Sequence, residues 1–241
     1  MNWYEHVDHY CERGSQAIWA EPVNALSNLS FIVAAWAIWR LLSLHPRSPR
    51  SIAFMAPLAT LIGVGSFAFH TLATRWAQVL DVAPIGLFVL CYLASYLRWF
   101  YGLAWRRCLL GVAAFIGCGA VFIVLVGSYV PNRSGTYVPV LLLIVGLTAV
   151  LRSSRDSGRV RHWKEMLTAA LVFAAALLSR TVDHQVCGAF SLGTHFLWHT
   201  FDGVLIYLAS RALVGRWRSV TEPTAREDTR AVAVPDQRVS P

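Results

Sequence analysis

The chain has 241 residues, of which 56% are apolar and only 14% are charged. Soluble domains carry about 25% charged residues, so this composition excludes an ordinary soluble domain and indicates an integral membrane protein. The formal net charge of +8 does not indicate a nucleic-acid partner, because the basic residues form short clusters between apolar runs. Residues 1–23 are polar and acidic, unlike a cleavable signal peptide.

Seven apolar runs follow one another along the chain, with turn residues such as those at 131–135 between them. About 20 apolar residues cross the hydrocarbon core as a helix, so each run is a candidate membrane span. The predicted fold is therefore all-α, with seven transmembrane helices. The runs cover residues 24–44, 52–69, 79–97, 108–130, 137–151, 166–179 and 195–213.

The positive charges predict the orientation of these spans. All but four of the 21 Lys and Arg lie in the connections on one side or in the C-terminal stretch, the exceptions being Arg13, Arg75, Arg133 and Arg180. By the positive-inside rule, the N-terminus lies outside the cytoplasm and the C-terminus inside. Residues 1–220 are thus predicted to form one membrane domain with an acidic outer segment at 1–23. Residues 221–241 are polar without periodicity and are predicted to be a disordered cytoplasmic tail.

The stretch THFLWHTFD at 194–202 opens the last run with two histidines four residues apart. On a helix His195 and His199 share one face, where they can hold one metal ion. The alternative, a pair of core histidines, is disfavoured because polar rings are costly in lipid. The predicted topology brings His70, at the end of the second span, to the same outer side. Three imidazoles make a catalytic zinc shell with a fourth place for water, whose pKa zinc lowers from about 16 to about 7.

Two further polar residues lie near these histidines in the predicted topology. Ser66 precedes His70 by four residues and can donate a hydrogen bond to a developing oxyanion. Its alternative is a small residue at a helix contact, beside Gly63 and Gly65. Asp81 begins the third span on the outer side and can move a proton from zinc-bound water to the leaving amine. Its alternative is a charge that the helix dipole favours.

Two more acids lie close to the histidine pair in the sequence. Asp183 follows the sixth run and is either a partner that fixes a histidine tautomer or a loop acid. Asp202 follows His199 by three residues and points into the membrane interior. It is either a similar partner or a buried polar contact.

The N-terminal segment is the second unusual stretch, because it holds four acids and one Arg. The acids are Glu5, Asp8, Glu12 and Glu21. Several carboxylates on a short loop suit Ca²⁺, which takes six to eight oxygens, and the alternative is a plain acidic outer segment. Cys11 in this segment and Cys187 both fall on the outer, oxidising side, where they can pair.

Three motifs together resemble the alkaline ceramidase family. They are YCER…WAEPxNALSN at 10–28, GxGSxxFH followed by QxLD at 63–81, and DxxxC followed by HxxWH at 183–199. That family belongs to a wider group of seven-helix membrane hydrolases, which also includes the adiponectin-receptor-like proteins. The resemblance extends to about residue 218.

The resemblance implies a role for each matching residue. The implied zinc ligands are His70, His195 and His199, with Ser66 and Asp81 beside the zinc. The implied disulfide joins Cys11 to Cys187. The implied calcium ligands are Glu12 and Glu21, with Asp8 shifted into the site, because His9 and Gly14 stand where the family has an acid and an Asn.

The function implied is a zinc-dependent amidohydrolase that cleaves ceramide-like lipids to a sphingoid base and a fatty acid. Zinc-bound water is the nucleophile and Asp81 the proton shuttle, near the non-cytoplasmic face of the membrane, or of the inner membrane in a bacterium. One alternative is a hydrolase of another lipid amide or ester. A second is a seven-helix receptor with a structural zinc, which normally has four protein ligands. A third, a haem protein, needs axial ligands near the bilayer middle.

Overall fold

A computed structural model of the protein describes residues 2–221, and this part of the chain is helical apart from its connections and one isolated bridge between His6 and Thr74. The helices are α1 (Pro22–Ser27), α2 (Leu29–Ser43), α3 (Arg50–Ala53), α4 (Met55–Leu72), α5 (Arg75–Tyr101), α6 (Trp105–Val126), α7 (Val138–Arg152), α8 (Ser157–Val160), α9 (Trp163–Val186) and α10 (His195–Thr221). Two short 3-10 turns, Gly127–Tyr129 and Pro131–Thr136, join α6 to α7. Apart from Thr221, the predicted tail lies outside the described residues.

Within residues 2–221, five helical stretches are long and apolar enough to cross a membrane. They are Pro22–Ser43, Arg50–Leu72, Arg75–Tyr101, Trp105–Tyr129 and Ser157–Val186. Helix α7 is apolar but has only 15 residues, and α10 is long but carries His195, His199 and Asp202. The structure therefore indicates a multi-pass membrane protein, and the count of seven spans and their orientation stay predictions.

The sixth span is longer than its apolar run. The run was predicted to end at residue 179, whereas α9 continues to Val186. Its last two turns are polar, and their side chains find partners inside the protein, so hydropathy alone places the end too early. Asp183 consequently lies within a helix, and the alternative of a loop acid is wrong.

The hydrophobic core runs between α2, α4, α5, α9 and α10, which all contribute buried apolar side chains such as Phe31, Ile62, Tyr96, Phe173 and Leu213. By contrast, α6 buries only Cys108 and Gly119 and lies at the edge of the bundle. A bundle with one lipid-facing edge helix is compatible with membrane embedding, where apolar side chains also face outward.

Two glycines set how closely the site-bearing helices approach their neighbours. A Cβ on Gly65 of α4 would overlap the Leu80 carbonyl oxygen of α5, far inside van der Waals contact. A Cβ on Gly203 of α10 would lie 2.8 Å from the Ser30 carbonyl oxygen of α2. Small residues of this kind allow membrane helices to pack backbone to backbone.

Replacing Gly65 with alanine is expected to separate α4 from α5 and to lower the temperature of unfolding. Overpacking lowers the free energy of unfolding by about 1–3 kcal/mol. Backbone atoms move aside less easily than a side chain, so a clash with backbone lies at the upper end of that range. The matched control is Gly117→Ala in α6, where nothing lies within 4 Å of the added Cβ. Thermal unfolding of both variants in detergent measures the effect, and equal unfolding temperatures would contradict the packing described.

Candidate metal centre

Three histidines meet at one end of the bundle, because their helices end or begin there. His70 lies in the last turn of α4, and His195 and His199 lie in the first two turns of α10. All three are buried, and their ligand atoms lie within 4.8 Å of one another. The predicted convergence of these histidines from distant parts of the chain is what the structure shows.

Hydrogen bonds select the ring nitrogens that two of the histidines offer. Nδ1 of His70 donates to the Glu21 carboxylate at 2.6 Å, which leaves Nε2 buried without a partner. Nδ1 of His199 lies 2.7 Å from the Ser27 hydroxyl. That hydroxyl donates to the Asn24 carbonyl at 2.7 Å, so it accepts from His199. In both rings Nδ1 is therefore occupied by a hydrogen bond, and Nε2 is the nitrogen left to bind a metal ion.

Asp183 fixes the backbone that carries His195. Its Oδ1 accepts hydrogen bonds from the backbone N–H of Thr194 at 2.7 Å and of His195 at 2.9 Å, at the start of α10. Its Oδ2 accepts from the backbone N–H of Cys11 at 2.9 Å. The N–H groups of Thr194 and His195 at the start of α10 have no partner within that helix, and the carboxylate accepts their hydrogen bonds. The predicted role as a tautomer-fixing partner is thus replaced by a role at the helix terminus.

Tyr10 and Arg180 hold the ring of His195, and sequence reasoning assigned neither of them to the site. The Tyr10 ring stacks on His195 with centroids 3.6 Å apart and an interplanar angle of 11°. Burial raises the pKa of the Tyr10 phenol, and its oxygen accepts a hydrogen bond from Arg180 Nη1 at 2.6 Å. The Arg180 guanidinium also lies 5.1 Å from the ring centroid of Tyr137 and 5.4 Å from that of Trp198. The available signal was a basic residue directly after the sixth apolar run, on the side that otherwise carries few positive charges.

Arg180→Met is expected to lower zinc affinity by about tenfold, since groups that orient a metal ligand typically contribute 10–100-fold. The cause is loss of the hydrogen bond and cation–π contacts that keep Tyr10 against His195. Arg133→Met is the matched control, because Arg133 is exposed and its guanidinium contacts His9 instead. Competition with a chromophoric chelator measures both affinities, and equal values for the two variants would exclude this role.

Ser66 and Asp81 lie beside the histidines. The Ser66 hydroxyl is 3.5 Å from Nε2 of His199 and is buried. The Asp81 carboxylate interacts with the Ser66 hydroxyl and has His70 and Arg180 within electrostatic reach. The close contact of Gly65 with the Leu80 carbonyl brings Asp81 to this position. A hydroxyl donor, a carboxylate and three imidazoles thus share one buried site.

The disulfide expected from the resemblance is present. Cys11 and Cys187 are bonded, with Cα atoms 5.6 Å apart. The bond ties the N-terminal segment to the connection between α9 and α10. It thereby keeps Tyr10 next to the start of α10.

Comparison with protein families gives a match over nearly the whole chain, since the model of the family described as Ceramidase covers residues 7–233. The chain belongs to the ceramidase family. A comparison with curated proteins finds no match. The resemblance read from the three motifs is confirmed, and ceramidase membership implies hydrolysis of the amide bond of ceramide.

The histidine cluster fits the zinc that a ceramidase of this kind was expected to hold. It offers three imidazoles, two of which have Nδ1 occupied by a hydrogen bond and Nε2 left for a metal ion, and Nδ1 of His195 is buried without a hydrogen-bond partner. Three histidines without a fourth protein ligand are typical of catalytic zinc and untypical of structural zinc. Within residues 2–221, His70, His195 and His199 form the one group of three or more His, Cys, Asp or Glu whose ligand atoms are close enough to share an ion.

The acids of the N-terminal segment do not fit the calcium ion that the resemblance implies. Glu12 accepts hydrogen bonds from the backbone N–H of Val23 at 2.7 Å and of Asn24 at 2.8 Å. Glu21 is bound by Arg13 and His70, and Asp8 is exposed. Burial raises the pKa of Glu21, but the hydrogen bonds from His70 and Arg13 outweigh it and hold the pKa below its ordinary value. The three carboxylates therefore serve separate partners.

An apolar pocket lies inside the bundle. Trp198, which precedes His199 in the chain, and Asp202, three residues beyond His199 on α10, are among its lining residues, together with Tyr137, Tyr92 and Met166. Oδ1 of Asp202 has no hydrogen-bond partner within residues 2–221, so the predicted partnership with a histidine is not seen. In a ceramidase, a pocket of this composition suits the hydrocarbon part of a lipid.

Proposed function

We propose that this chain is a zinc-dependent amidohydrolase that cleaves the N-acyl amide of ceramide-like lipids to a sphingoid base and a fatty acid. The observation that carries the proposal is the cluster of three buried histidines beside Ser66 and Asp81, in a chain of the ceramidase family. His70, His195 and His199 would hold the zinc ion, which would supply the nucleophile by lowering the pKa of a coordinated water.

The side chains around the histidines provide the remaining chemistry. Hydrolysis adds the water oxygen to the carbonyl carbon, breaks the C–N bond and carries one water proton to the amine. Asp81 accepts that proton and returns it to the leaving nitrogen, as a general base and then a general acid. The Ser66 hydroxyl donates a hydrogen bond to the carbonyl oxygen as negative charge develops on it.

The apolar pocket inside the bundle accommodates the hydrocarbon chains. Most of its lining residues are Leu, Ile, Val, Phe or Ala, and the polar atoms belong to Tyr92, Tyr137, Trp198 and Asp202. A second pocket between α5, α6 and α7 shares Ile85, Val89, Tyr137 and Val140 with the first. Because α6 is the edge helix, the proposal has lipid chains enter from the bilayer beside α6, where the two pockets adjoin.

Seven spans with an outer N-terminus complete the proposal. The charge pattern supports this orientation, since the connections at the opposite end from the histidines carry most of the Lys and Arg. The site then lies near the non-cytoplasmic face, where water reaches the amide while the chains stay in the membrane. Cys11 and Cys187 on that face support the same orientation, because disulfides persist in oxidising compartments.

The test is hydrolysis of a pure ceramide by the protein purified in detergent with zinc. Mass spectrometry is expected to find fatty acid and sphingoid base in equal amounts. An N-alkyl analogue without the carbonyl group is the control, and it should bind without being cleaved. Cleavage confined to lipid esters or to other lipid amides would favour the alternative hydrolase. Bound zinc without cleavage of any lipid amide or ester would favour a receptor with a structural zinc.

A further inference from the structure

Arg13 is a buried arginine of the N-terminal segment, and its side chain is surrounded by oxygen atoms. It is only 5% exposed. Its Nε donates to the Glu21 carboxylate, and its Nη1 donates to the carbonyls of Ser15 at 3.2 Å and Ala17 at 3.4 Å. Its Nη2 donates to the carbonyl of His70 at 2.9 Å. One carboxylate and three backbone carbonyls therefore converge on a single guanidinium.

Carboxylate and backbone carbonyl oxygens are the ligands that Ca²⁺ takes in proteins. Here the Arg13 guanidinium, a cation attached to the chain itself, donates hydrogen bonds to these oxygens. The other acids of the segment do not bind it. Glu12 binds the N-terminal turn of α1, and Asp8 is exposed. We propose that the Arg13 guanidinium is a built-in cation that takes the place of a calcium ion and positions His70 for metal binding.

The coupling to the metal centre runs through two contacts on the same histidine. Glu21 uses its Oε1 for Arg13 and its Oε2 for Nδ1 of His70, at 2.6 Å. Arg13 also binds the backbone carbonyl of His70. The guanidinium thus holds both the carboxylate partner and the main chain of one ligand. Arg13 touches no reacting atom and is a positioning residue, and this inference rests on the proposed zinc site.

Removal of the charge leaves groups in the protein interior without partners. Glu21 is 2% exposed, so its carboxylate would keep only His70 and the Asn24 amide as donors. A buried acceptor that loses its donor raises the free energy of the folded protein. The local backbone relieves this cost by moving, and His70 moves with it.

Zinc affinity tests the positioning role with two substitutions of different charge. Arg13→Met keeps the apolar stem and removes the cation, and it is expected to weaken zinc binding at least about tenfold. Arg13→Lys keeps a cation and is expected to bind zinc more tightly than Arg13→Met. Arg75→Met is the control, because Arg75 is 40% exposed and pairs with Glu5 on the surface. Equal zinc affinities for Arg13→Met and Arg75→Met, or for the Met and Lys variants of Arg13, would overturn the inference.

Calcium binding to the wild-type protein tests the built-in cation directly. Equilibrium dialysis against radioactive calcium, with zinc present, is expected to find no bound calcium, and millimolar calcium should leave the unfolding temperature unchanged. One calcium per chain together with a raised unfolding temperature would overturn the inference, even if the Arg13 variants do not fold. Neither zinc affinity nor calcium binding depends on hydrolysis. A protein that does not hydrolyse ceramide would therefore contradict the proposed function without affecting the test of Arg13.

Discussion

Asp81→Asn is expected to lower kcat for ceramide hydrolysis by about 10²–10⁴-fold, the usual contribution of a general acid or base. Asparagine keeps the shape of the side chain but cannot take up a proton. It also keeps an oxygen for Ser66, so the local packing is retained. Bound zinc is expected to stay at the wild-type level, because the three histidines are unchanged. Rate and metal content are measured on the same purified sample.

Glu165→Gln is the matched control for Asp81→Asn. Glu165 is also a partly buried acid, with 15% of its side chain exposed, but it pairs with Arg211 and His162 at the opposite end of the bundle. The same chemical change there is expected to leave kcat within about threefold of wild type, since surface and peripheral substitutions have small effects. A rate for Asp81→Asn as high as that of Glu165→Gln would remove Asp81 from the mechanism.

His195→Ala is expected to abolish hydrolysis and to weaken zinc binding by more than about 100-fold, beyond what loss of a supporting group causes. The substitution removes one of three ligands and leaves the Tyr10 ring without its stacking partner. His184→Ala is the control, because His184 lies in α9 at the same end and its ring bonds the backbone carbonyl of His9. Metal analysis and the ceramide assay are applied to both variants. A His195→Ala protein that retains one zinc per chain and the wild-type rate would refute the assigned ligand set.

The histidine cluster was predictable from two arguments. Helix geometry relates residues four apart, and the predicted topology relates residues that are distant in the chain. His195 and His199 are four residues apart, so any helix through them places both rings on one face. The charge pattern assigned the end of α4 and the start of α10 to the same side, which brought His70 to the pair. Ser66 and Asp81 follow from the same two arguments, since Ser66 shares a face with His70 and Asp81 was predicted at the outer end of the next span. The structure begins that helix earlier, at Arg75, so Asp81 lies in its second turn.

The partners of the histidines were not predictable by these arguments. Glu21 and Ser27 bind the Nδ1 atoms of His70 and His199. Glu21 lies in the acidic N-terminal segment and Ser27 at the start of the first predicted span, and neither position has a sequence pattern that indicates a histidine partner. The path of the N-terminal segment depends on the disulfide and on the bond from Asp183 to the Cys11 backbone. Such contacts join residues more than 170 positions apart, and no local pattern specifies them.

The expected calcium site shows why residue counting fails for an acidic segment. The count recorded four acids and one Arg, but it could not show that the Arg side chain points inward among the oxygens. The predicted end of α9 was wrong for a related reason. Hydropathy falls after residue 179, whereas the helix is continued by polar side chains with buried partners, among them Arg180 and Asp183.

The most direct test of the account is removal and return of the metal ion. The purified protein is expected to carry one zinc per chain and to lose ceramide hydrolysis in step with zinc when a chelator removes it. Zinc added back should restore the rate in proportion to the zinc that is bound. Protein stripped of metal that still hydrolyses ceramide at the original rate would contradict the claim that His70, His195 and His199 form the catalytic metal centre.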